Sequence, residues 1–210
     1  MRTITGPFPA PRPARSKIPR RAIFLDRDGT LNEDLGYVHR PEDWRWLPGV
    51  PEALARFRAA GWLLVVVSNQ SGLARSLFAP KDLAALERWV DAGLAPLGAA
   101  PDAWYHCPHL PEITGPCSCR KPLPGLVLRA CAELDIAPGA SWMLGDRQRD
   151  VAAGVAAGCR AGLLRPDPGD AEARATLAAF PGTPVWPGLA AACDAILSSG
   201  RDPSAGGGAA

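Results

Sequence analysis

The sequence lacks any uninterrupted apolar segment as long as the roughly 20 residues that a helix needs to cross a bilayer. Its N-terminus has Pro and Arg where a secretory signal would have an apolar stretch, so neither a membrane protein nor a secreted one is indicated. No internal repeat is present. We therefore expect a soluble, cytoplasmic protein that has no membrane partner.

A large excess of charge of one sign is also missing. The 210 residues carry a formal net charge of +2, but residues 1–20 hold five basic side chains and no acidic one. The rest of the chain is therefore mildly acidic, at about −3, which argues against a nucleic-acid partner. We interpret residues 1–20 as a disordered Pro/Arg-rich leader and residues 200–210 as a disordered Gly/Ala tail.

Lysine is scarce, with Lys17, Lys81 and Lys121 as its three occurrences, whereas arginine is abundant. A lysine is more often a solvated surface charge than a functional group. Because the chain otherwise prefers arginine, the lysine at position 121 indicates that a compact ammonium group is needed there.

Short apolar runs alternate with helical patterns between residues 21 and 199, a length that suits one domain. Strands are predicted at 22–25, 62–67, 141–144 and 161–164. Helices are predicted at 51–60, 80–94, 125–134 and 150–157, and residues 183–199 add a short strand and a helix. A Pro- and Cys-rich excursion occupies residues 101–124. This alternation predicts an α/β fold with a single Rossmann-like, doubly wound parallel sheet covered by helices on both faces.

Reactive side chains follow the carboxyl ends of several predicted strands, where ligands bind in such sheets. Asp26 and Asp28 follow the first strand, Ser68 and Asn69 the second, and Asp146 a later one. Three converging carboxylates would repel one another unless a hard cation lay between them. Oxygen ligands of this kind suit Mg²⁺, so the sequence predicts a magnesium site.

Asp26 and Asp28 are separated by one residue, a spacing that allows two carboxylates to divide the work of phosphoryl transfer. The first can attack phosphorus as the nucleophile, and the second can protonate the leaving oxygen and then activate water. An Asp-rich turn that caps a helix is the alternative interpretation of so short a motif.

Four segments, in the expected order, resemble the four motifs of the haloacid dehalogenase superfamily of phosphotransferases. They are Phe24-Leu25-Asp26-Arg27-Asp28-Gly29-Thr30-Leu31-Asn32, Val67-Ser68-Asn69-Gln70, Arg120-Lys121-Pro122, and Gly145-Asp146 with Asp150. The resemblance implies that residues 21–199 form a phosphatase domain that uses an aspartyl-phosphate intermediate.

The same resemblance implies a role for each matching residue. Asp26 is expected to be the nucleophile and Asp28 the general acid/base. Ser68 and Lys121 are expected to hold the phosphoryl oxygens. Asp146 is expected to bind Mg²⁺ together with Asp26 and the carbonyl of Asp28.

Three cysteines and one histidine fall within the segment 107–119, and together they form a complete ligand set for tetrahedral Zn²⁺: Cys107, His109, Cys117 and Cys119. In a cytoplasmic chain such spacing favours a metal site over disulfides, although chance clustering in a loop is the alternative. Four protein ligands leave no open position, so the predicted zinc is structural and holds the loop.

A phosphatase domain joined to a zinc loop resembles one branch of the superfamily, the D-glycero-D-manno-heptose 1,7-bisphosphate phosphatases and the similar histidinol-phosphate phosphatases. The resemblance implies no large cap domain, a small phosphorylated sugar as substrate, and removal of its C7 phosphate in nucleotide-activated heptose synthesis. The substrate contacts that it implies are Asp34, Leu35, Gly36, Tyr37, Ser68, Asn69, Gln70, Ser71, Arg120, Lys121 and Arg147.

Two other functions stay open at this point. A histidinol-phosphate phosphatase would share the zinc loop and the motifs. A zinc-bearing module that binds nucleic acid would use the basic leader, but the acidic body and the complete catalytic set weigh against it.

Tyr37 and His39 suit a loop anchor almost as well as a sugar contact. We expect a monomer, because no amphipathic seam is left once the predicted helices are packed.

Overall fold

The computed structural model describes residues 20–199. Apart from Arg20, the predicted leader and tail lie outside the described residues. Six strands form one sheet, in which each pair of neighbouring strands is parallel. The strands are β1 (Ala22–Leu25), β2 (Leu63–Asn69), β3 (Ala103–Cys107), β4 (Trp142–Gly145), β5 (Arg160–Leu164) and β6 (Val185–Trp186).

Seven α-helices connect the strands within the described range. They are α1 (Val50–Ala59), α2 (Pro80–Leu94), α3 (Pro111–Thr114), α4 (Gly125–Leu134), α5 (Gln148–Ala156), α6 (Ala171–Ala179) and α7 (Leu189–Ser199). Between β1 and α1 the only helical element is the 3₁₀ turn Pro41–Asp43, so no large cap domain is inserted at that position. None of the helices in residues 20–199 combines the length and the apolar character that a membrane span requires.

The strand order is β3-β2-β1-β4-β5-β6. The chain builds outward from β1 to one edge and then returns to add β4 on the other side of β1. The point between β1 and β4 is therefore the topological switch point, where the connections diverge and leave a crevice at the carboxyl ends of the strands.

Helices cover both faces of the sheet. Successive side chains of a strand point to opposite faces, so each strand contributes buried residues to both cores. On β1, Ile23 and Leu25 belong to a core cluster that also contains residues of α1, α2 and α7. Ala22 and Phe24 belong to a second cluster, which contains residues of α4. β1 is thus the rigid centre of the domain, and the residue after Leu25 is held by packing on both sides.

The predicted fold class is confirmed, and most predicted elements agree with the structure to within one or two residues. Three elements were not predicted. The excursion at 101–124 contains the edge strand β3 and the short helix α3, and the segment after β5 contains α6. β3 has polar and apolar residues mixed, and α6 is mostly alanine, so neither shows a strong periodic pattern.

Phe57 of α1 provides a test of the core. Its side chain is fully buried and packs edge-on against Trp62, with ring centroids 6.4 Å apart. We expect Phe57→Ala to lower the free energy of unfolding by about 3–5 kcal/mol in urea denaturation, because the truncation leaves a cavity. Leu97→Ala is the control, since Leu97 is 51% exposed and its truncation should cost less than about 0.5 kcal/mol. Equal losses in the two variants would contradict this description of the core.

Candidate active site

Three carboxylates meet at the switch point. Asp26 directly follows β1, and its backbone N–H donates to the carbonyl of Leu144 in β4, at 3.0 Å. Asp146 directly follows β4, and Asp150 lies in the first turn of α5. Carboxylate oxygens of all three residues lie within 4.8 Å of one another. The sheet therefore places on one edge the acidic groups that the sequence separates by more than a hundred positions.

The electrostatics of this group favour a cation. Burial and, after it, the negative charges of Asp26 and Asp150 raise the pKa of Asp146 to about 7, against the opposing effect of Arg147 and Arg149. The Oδ1 atom of Asp146 is buried and has no hydrogen-bond partner. A divalent cation would neutralise these carboxylates and give that oxygen a ligand bond, so the residues present fit Mg²⁺.

The space beside Asp146 is kept by Gly29. A Cβ atom at Gly29 would lie 2.5 Å from Asp146 Oδ2, which is shorter than any normal contact. The residue also has a φ of +81°, a conformation that glycine adopts readily. Gly29 thus allows the loop after β1 to pass directly against the acidic group.

Lys121 contacts two of these carboxylates directly. Its Nζ lies 2.8 Å from Asp26 Oδ1 and 2.8 Å from Asp150 Oδ1, and it donates to the carbonyl of Val67 at 2.7 Å. Burial alone would lower the pKa of Lys121, but attraction to Asp150 and Asp26 outweighs burial and raises it. The ammonium group therefore stays charged beside the nucleophile candidate.

The backbone of Lys121 is fixed by Asn69 at the end of β2. The Lys121 N–H donates to Asn69 Oδ1 at 3.0 Å, and Asn69 Nδ2 donates to the Lys121 carbonyl at 3.0 Å. This two-point contact aligns the loop with the sheet. Asn69, predicted as a substrate contact, thus has its side-chain amide engaged with the backbone of Lys121.

The carboxylate of Asp28 is kept apart from the Asp26, Asp146 and Asp150 group. Both of its oxygens lie within hydrogen-bond distance of Arg27, at 2.8 Å from Nη2 and 3.1 Å from Nε. Asn32 Nδ2 donates to it at 3.0 Å, and Gln70 Nε2 at 3.1 Å. The side chain remains 21% exposed, so it faces the crevice while being held on several sides.

Gln70 also joins Asp28 to the predicted phosphate contact Ser68. Gln70 Nε2 donates to Ser68 Oγ at 2.8 Å, and both residues are buried. Ser71 follows at the start of the turn after β2 and is half-buried. The predicted second motif therefore lies against the first at the carboxyl ends of β1 and β2.

The predicted substrate loop, residues 34–37, is exposed at the rim of the site. Leu35 and Tyr37 are about half exposed, and Gly36 donates its N–H to Asp34 Oδ1 at 3.2 Å. Arg147 connects this rim to the acidic group, since its Nε lies 3.0 Å from Asp146 Oδ2 and its Nη2 lies 3.9 Å from Asp34 Oδ2.

His39 and Phe78 form a stacked pair behind the loop. The rings lie 4.8 Å apart at an interplanar angle of 12°, and His39 Nδ1 contacts the carbonyl of Tyr37 at 2.8 Å. These contacts tie the end of the substrate loop to the body of the domain. They favour the loop-anchor interpretation for His39.

The four residues predicted as zinc ligands are brought together. Cys107 Sγ lies 3.6 Å from His109 Nδ1, 3.7 Å from Cys117 Sγ and 3.2 Å from Cys119 Sγ. A tetrahedral zinc with bonds of about 2.3 Å to sulfur places two thiolates about 3.8 Å apart, so the spacing fits the ion. The hydrogen bond with Cys119, and then burial, raise the pKa of the Cys107 thiol, and a metal ion would displace that proton.

The cluster of predicted zinc ligands is connected to the acidic group through Arg120 and Lys121. Arg120 Nη1 donates to the carbonyl of His109 at 3.1 Å. On the other side, a Cβ at Gly125 would lie 2.2 Å from the carbonyl oxygen of Ser118, so the start of α4 packs directly on the loop. The position of Lys121 therefore depends on the conformation of the cluster.

Comparisons with known proteins agree with this geometry. A family model described as HAD-hydrolase-like matches residues 118–192. The D-glycero-β-D-manno-heptose-1,7-bisphosphate 7-phosphatase of Pasteurella multocida is 47% identical over 142 residues, which cover 66% of this chain and 77% of that protein. The enzyme of the same name from Escherichia coli K12 is 45% identical over 141 residues, covering 65% and 74%. The chain belongs to this family of phosphatases.

A solved structure shares the fold of the family. D,D-heptose 1,7-bisphosphate phosphatase from B. bronchiseptica, in complex with magnesium and phosphate, superposes with a TM-score of 0.74 at 37% identity, covering 86% of this chain and 99% of that one. The predicted superfamily and branch are therefore confirmed. The residue roles within the site remain predictions.

Sequence reasoning missed three contributors to the site. Asp150 has no role of its own in the sequence-based assignment, although it lies four residues after Asp146 and its fully buried side chain contacts Lys121. Arg27 and Asn32 were quoted within the first motif without a role. Their positions in that motif could have indicated a role, since Arg27 stands between two aspartates and Asn32 lies four residues beyond Asp28.

The predicted zinc site can be tested by elemental analysis. We expect about one zinc per chain in the native protein and a content close to zero in Cys117→Ser, because a hydroxyl is a poor replacement for the fourth ligand. Cys131→Ser is the matched control, since Cys131 is buried in α4 and lies outside the cluster. Native protein without zinc, or a Cys117→Ser variant that keeps it, would contradict the assignment.

Proposed function

We propose that the protein hydrolyses the C7 phosphate of D-glycero-D-manno-heptose 1,7-bisphosphate through an aspartyl-phosphate on Asp26. The observation that carries the proposal is the buried group of Asp26, Asp146, Asp150 and Lys121 at the switch point, next to a four-ligand metal cluster. The family relationship supplies the substrate, since relatives at 43–47% identity are named for this reaction.

Asp26 and Asp146 would hold Mg²⁺ together with the Asp28 carbonyl, and the ion, when bound, would neutralise charge on the phosphoryl oxygens. Asp150 supports the site through its contact with Lys121. A carboxylate oxygen of Asp26 attacks phosphorus while the bond from phosphorus to the sugar oxygen breaks. Lys121, 2.8 Å from Asp26, stabilises the charge on the phosphoryl group as it is transferred.

Asp28 completes both halves of the reaction. Its carboxyl group donates a proton to the departing sugar oxygen, so that the sugar leaves as an alcohol. The resulting carboxylate then takes a proton from a water molecule, which attacks phosphorus and breaks its bond to Asp26. The products are the heptose monophosphate and inorganic phosphate, and Asp26 and Asp28 return to their starting states.

The cluster of Cys107, His109, Cys117 and Cys119 would hold a structural Zn²⁺. All four ligand positions come from the protein, so the ion would stabilise the loop rather than take part in the chemistry. The phosphate that is not cleaved needs a cationic partner of its own. Arg120, with a planar fork that matches a phosphate, is the best placed, and Arg147 at the rim is the second.

We also propose that the protein acts in the cytoplasm. All six of its cysteines are free, and three of them are needed as thiolates by the metal cluster. A reducing compartment preserves such groups.

The substrate can be tested with a panel of phosphate esters. We expect the highest kcat/KM for heptose 1,7-bisphosphate and a much lower value for histidinol phosphate, the candidate that shares the zinc loop. The matched variant Asp26→Asn should lose at least about a thousandfold in kcat while it keeps its thermal melting profile, because an amide does not attack phosphorus at a useful rate.

Each outcome of the panel has a clear meaning. Preference for histidinol phosphate would replace the proposed substrate but leave the mechanism in place. Near-native activity of Asp26→Asn would overturn the mechanism. Cleavage of a 3′-phosphorylated oligonucleotide in preference to both small esters would favour a nucleic-acid substrate.

A separate prediction concerns the divalent cation. We expect treatment with EDTA to abolish turnover and added Mg²⁺ to restore it, with Ca²⁺ a poor substitute because its larger and looser coordination disturbs the in-line geometry. Full activity in excess chelator would contradict the role of the acidic group. Zinc analysis of the same samples separates loss of the catalytic cation from loss of the loop metal.

A further inference from the structure

Arg27 is a buried charge that the proposed mechanism does not use. It occupies the single position between the nucleophile candidate Asp26 and the acid/base candidate Asp28, and only 1% of its surface is exposed. Removing a guanidinium from water is costly unless it is paired and hydrogen-bonded. A residue that served only to fill space at this position would be apolar.

The contacts of Arg27 are directed at Asp28. Nε and Nη2 face both carboxylate oxygens at 2.8–3.1 Å, an arrangement that fixes the orientation of the carboxylate as well as its position. A single ammonium group could not hold both oxygens in this way.

Arg27 also connects Asp28 to the substrate loop. Its Nη2 donates to the carbonyl of Val38 at 2.7 Å, and Val38 directly follows residues 34–37 and is buried. The same guanidinium therefore contacts the acid/base candidate and the base of the loop expected to bind the sugar. A change in the position of this loop would be transmitted to the Asp28 carboxylate through one rigid group.

We infer that Arg27 is a positioning residue, which sets the Asp28 carboxylate against the leaving oxygen and couples it to the substrate loop. The inference rests on the proposed phosphatase function, and it assigns no contact between Arg27 and the substrate. Its specific consequence concerns proton donation. Losing the contact of Arg27 Nε and Nη2 with the Asp28 carboxylate should slow the departure of a sugar alkoxide, which needs a proton. It should slow the departure of p-nitrophenolate less, because that leaving group needs no proton.

The test is Arg27→Lys, which keeps the positive charge but replaces the two contacting nitrogens of the guanidinium with one. The first turnover is followed by rapid mixing with a sugar phosphate that the wild type cleaves and, separately, with p-nitrophenyl phosphate. We expect the sugar phosphate reaction to slow by at least about tenfold and the p-nitrophenyl phosphate reaction by less than about threefold, because general acid catalysis contributes to the former step. Arg88→Lys, at an exposed residue of α2, is the matched control and should change neither rate.

A double-mutant comparison keeps the test decisive if Arg27→Lys does not fold. Arg27→Met combined with Asp28→Asn removes both charges, so no unpaired charge is left buried. If Arg27 acts through Asp28, this double variant should match Asp28→Asn alone in its first turnover of p-nitrophenyl phosphate. A rate more than about tenfold below that of Asp28→Asn would overturn the inference, since Arg27 would then act by another route.

The remaining outcomes separate the inference from the function on which it rests. Equal slowing of both esters by Arg27→Lys, or slowing of neither, would overturn the positioning role while leaving the phosphatase intact. A wild-type protein that releases phosphate from neither ester would overturn the proposed function and the inference together.

Discussion

The mutual repulsion of three buried carboxylates is the constraint around which this structure is organised. Asp26, Asp146 and Asp150 share a crevice with little access to water, and Lys121 compensates for two of them directly. Asp146 is left with a raised pKa and an unpartnered oxygen. Such an arrangement lowers stability, and the same lack of positive charge would favour the binding of a divalent ion and, with it, of a phosphoryl group.

Lys121 stays in this crevice only if the loop that carries it is held rigidly, and the loop has too few apolar residues to be held by packing alone. Three other contacts fix the loop. The Asn69 amide holds the Lys121 backbone on one side, the Cys and His cluster stands on the other, and Gly125 lets α4 pack closely against the loop. The Cys and His cluster, which could hold a metal ion, is therefore part of what positions Lys121.

Much of this organisation could be predicted from the sequence, because buried parallel strands are continuous apolar runs and the acidic residues directly follow them. The edge strand β3 escaped prediction because it is short and because His106, which contacts Glu87 of α2, interrupts its apolar residues. Arg27 escaped for a different reason. A lone arginine between two aspartates is expected to be a solvated charge, and only the three-dimensional structure shows that the guanidinium is buried against the partly exposed Asp28 carboxylate.

The position of β1 at the centre of the sheet also affects the order in which the protein can fold. Phe24 pairs with Val65 on one side and with Met143 on the other, so β4 reaches its place only after a very long loop has closed. β2 can pair with β1, and β3 with β2, early, whereas Asp146 and Asp150 can join Asp26 only after most of the chain has been synthesised. The repulsion among the three carboxylates therefore arises only once β4 pairs with β1 and brings Asp26, Asp146 and Asp150 together.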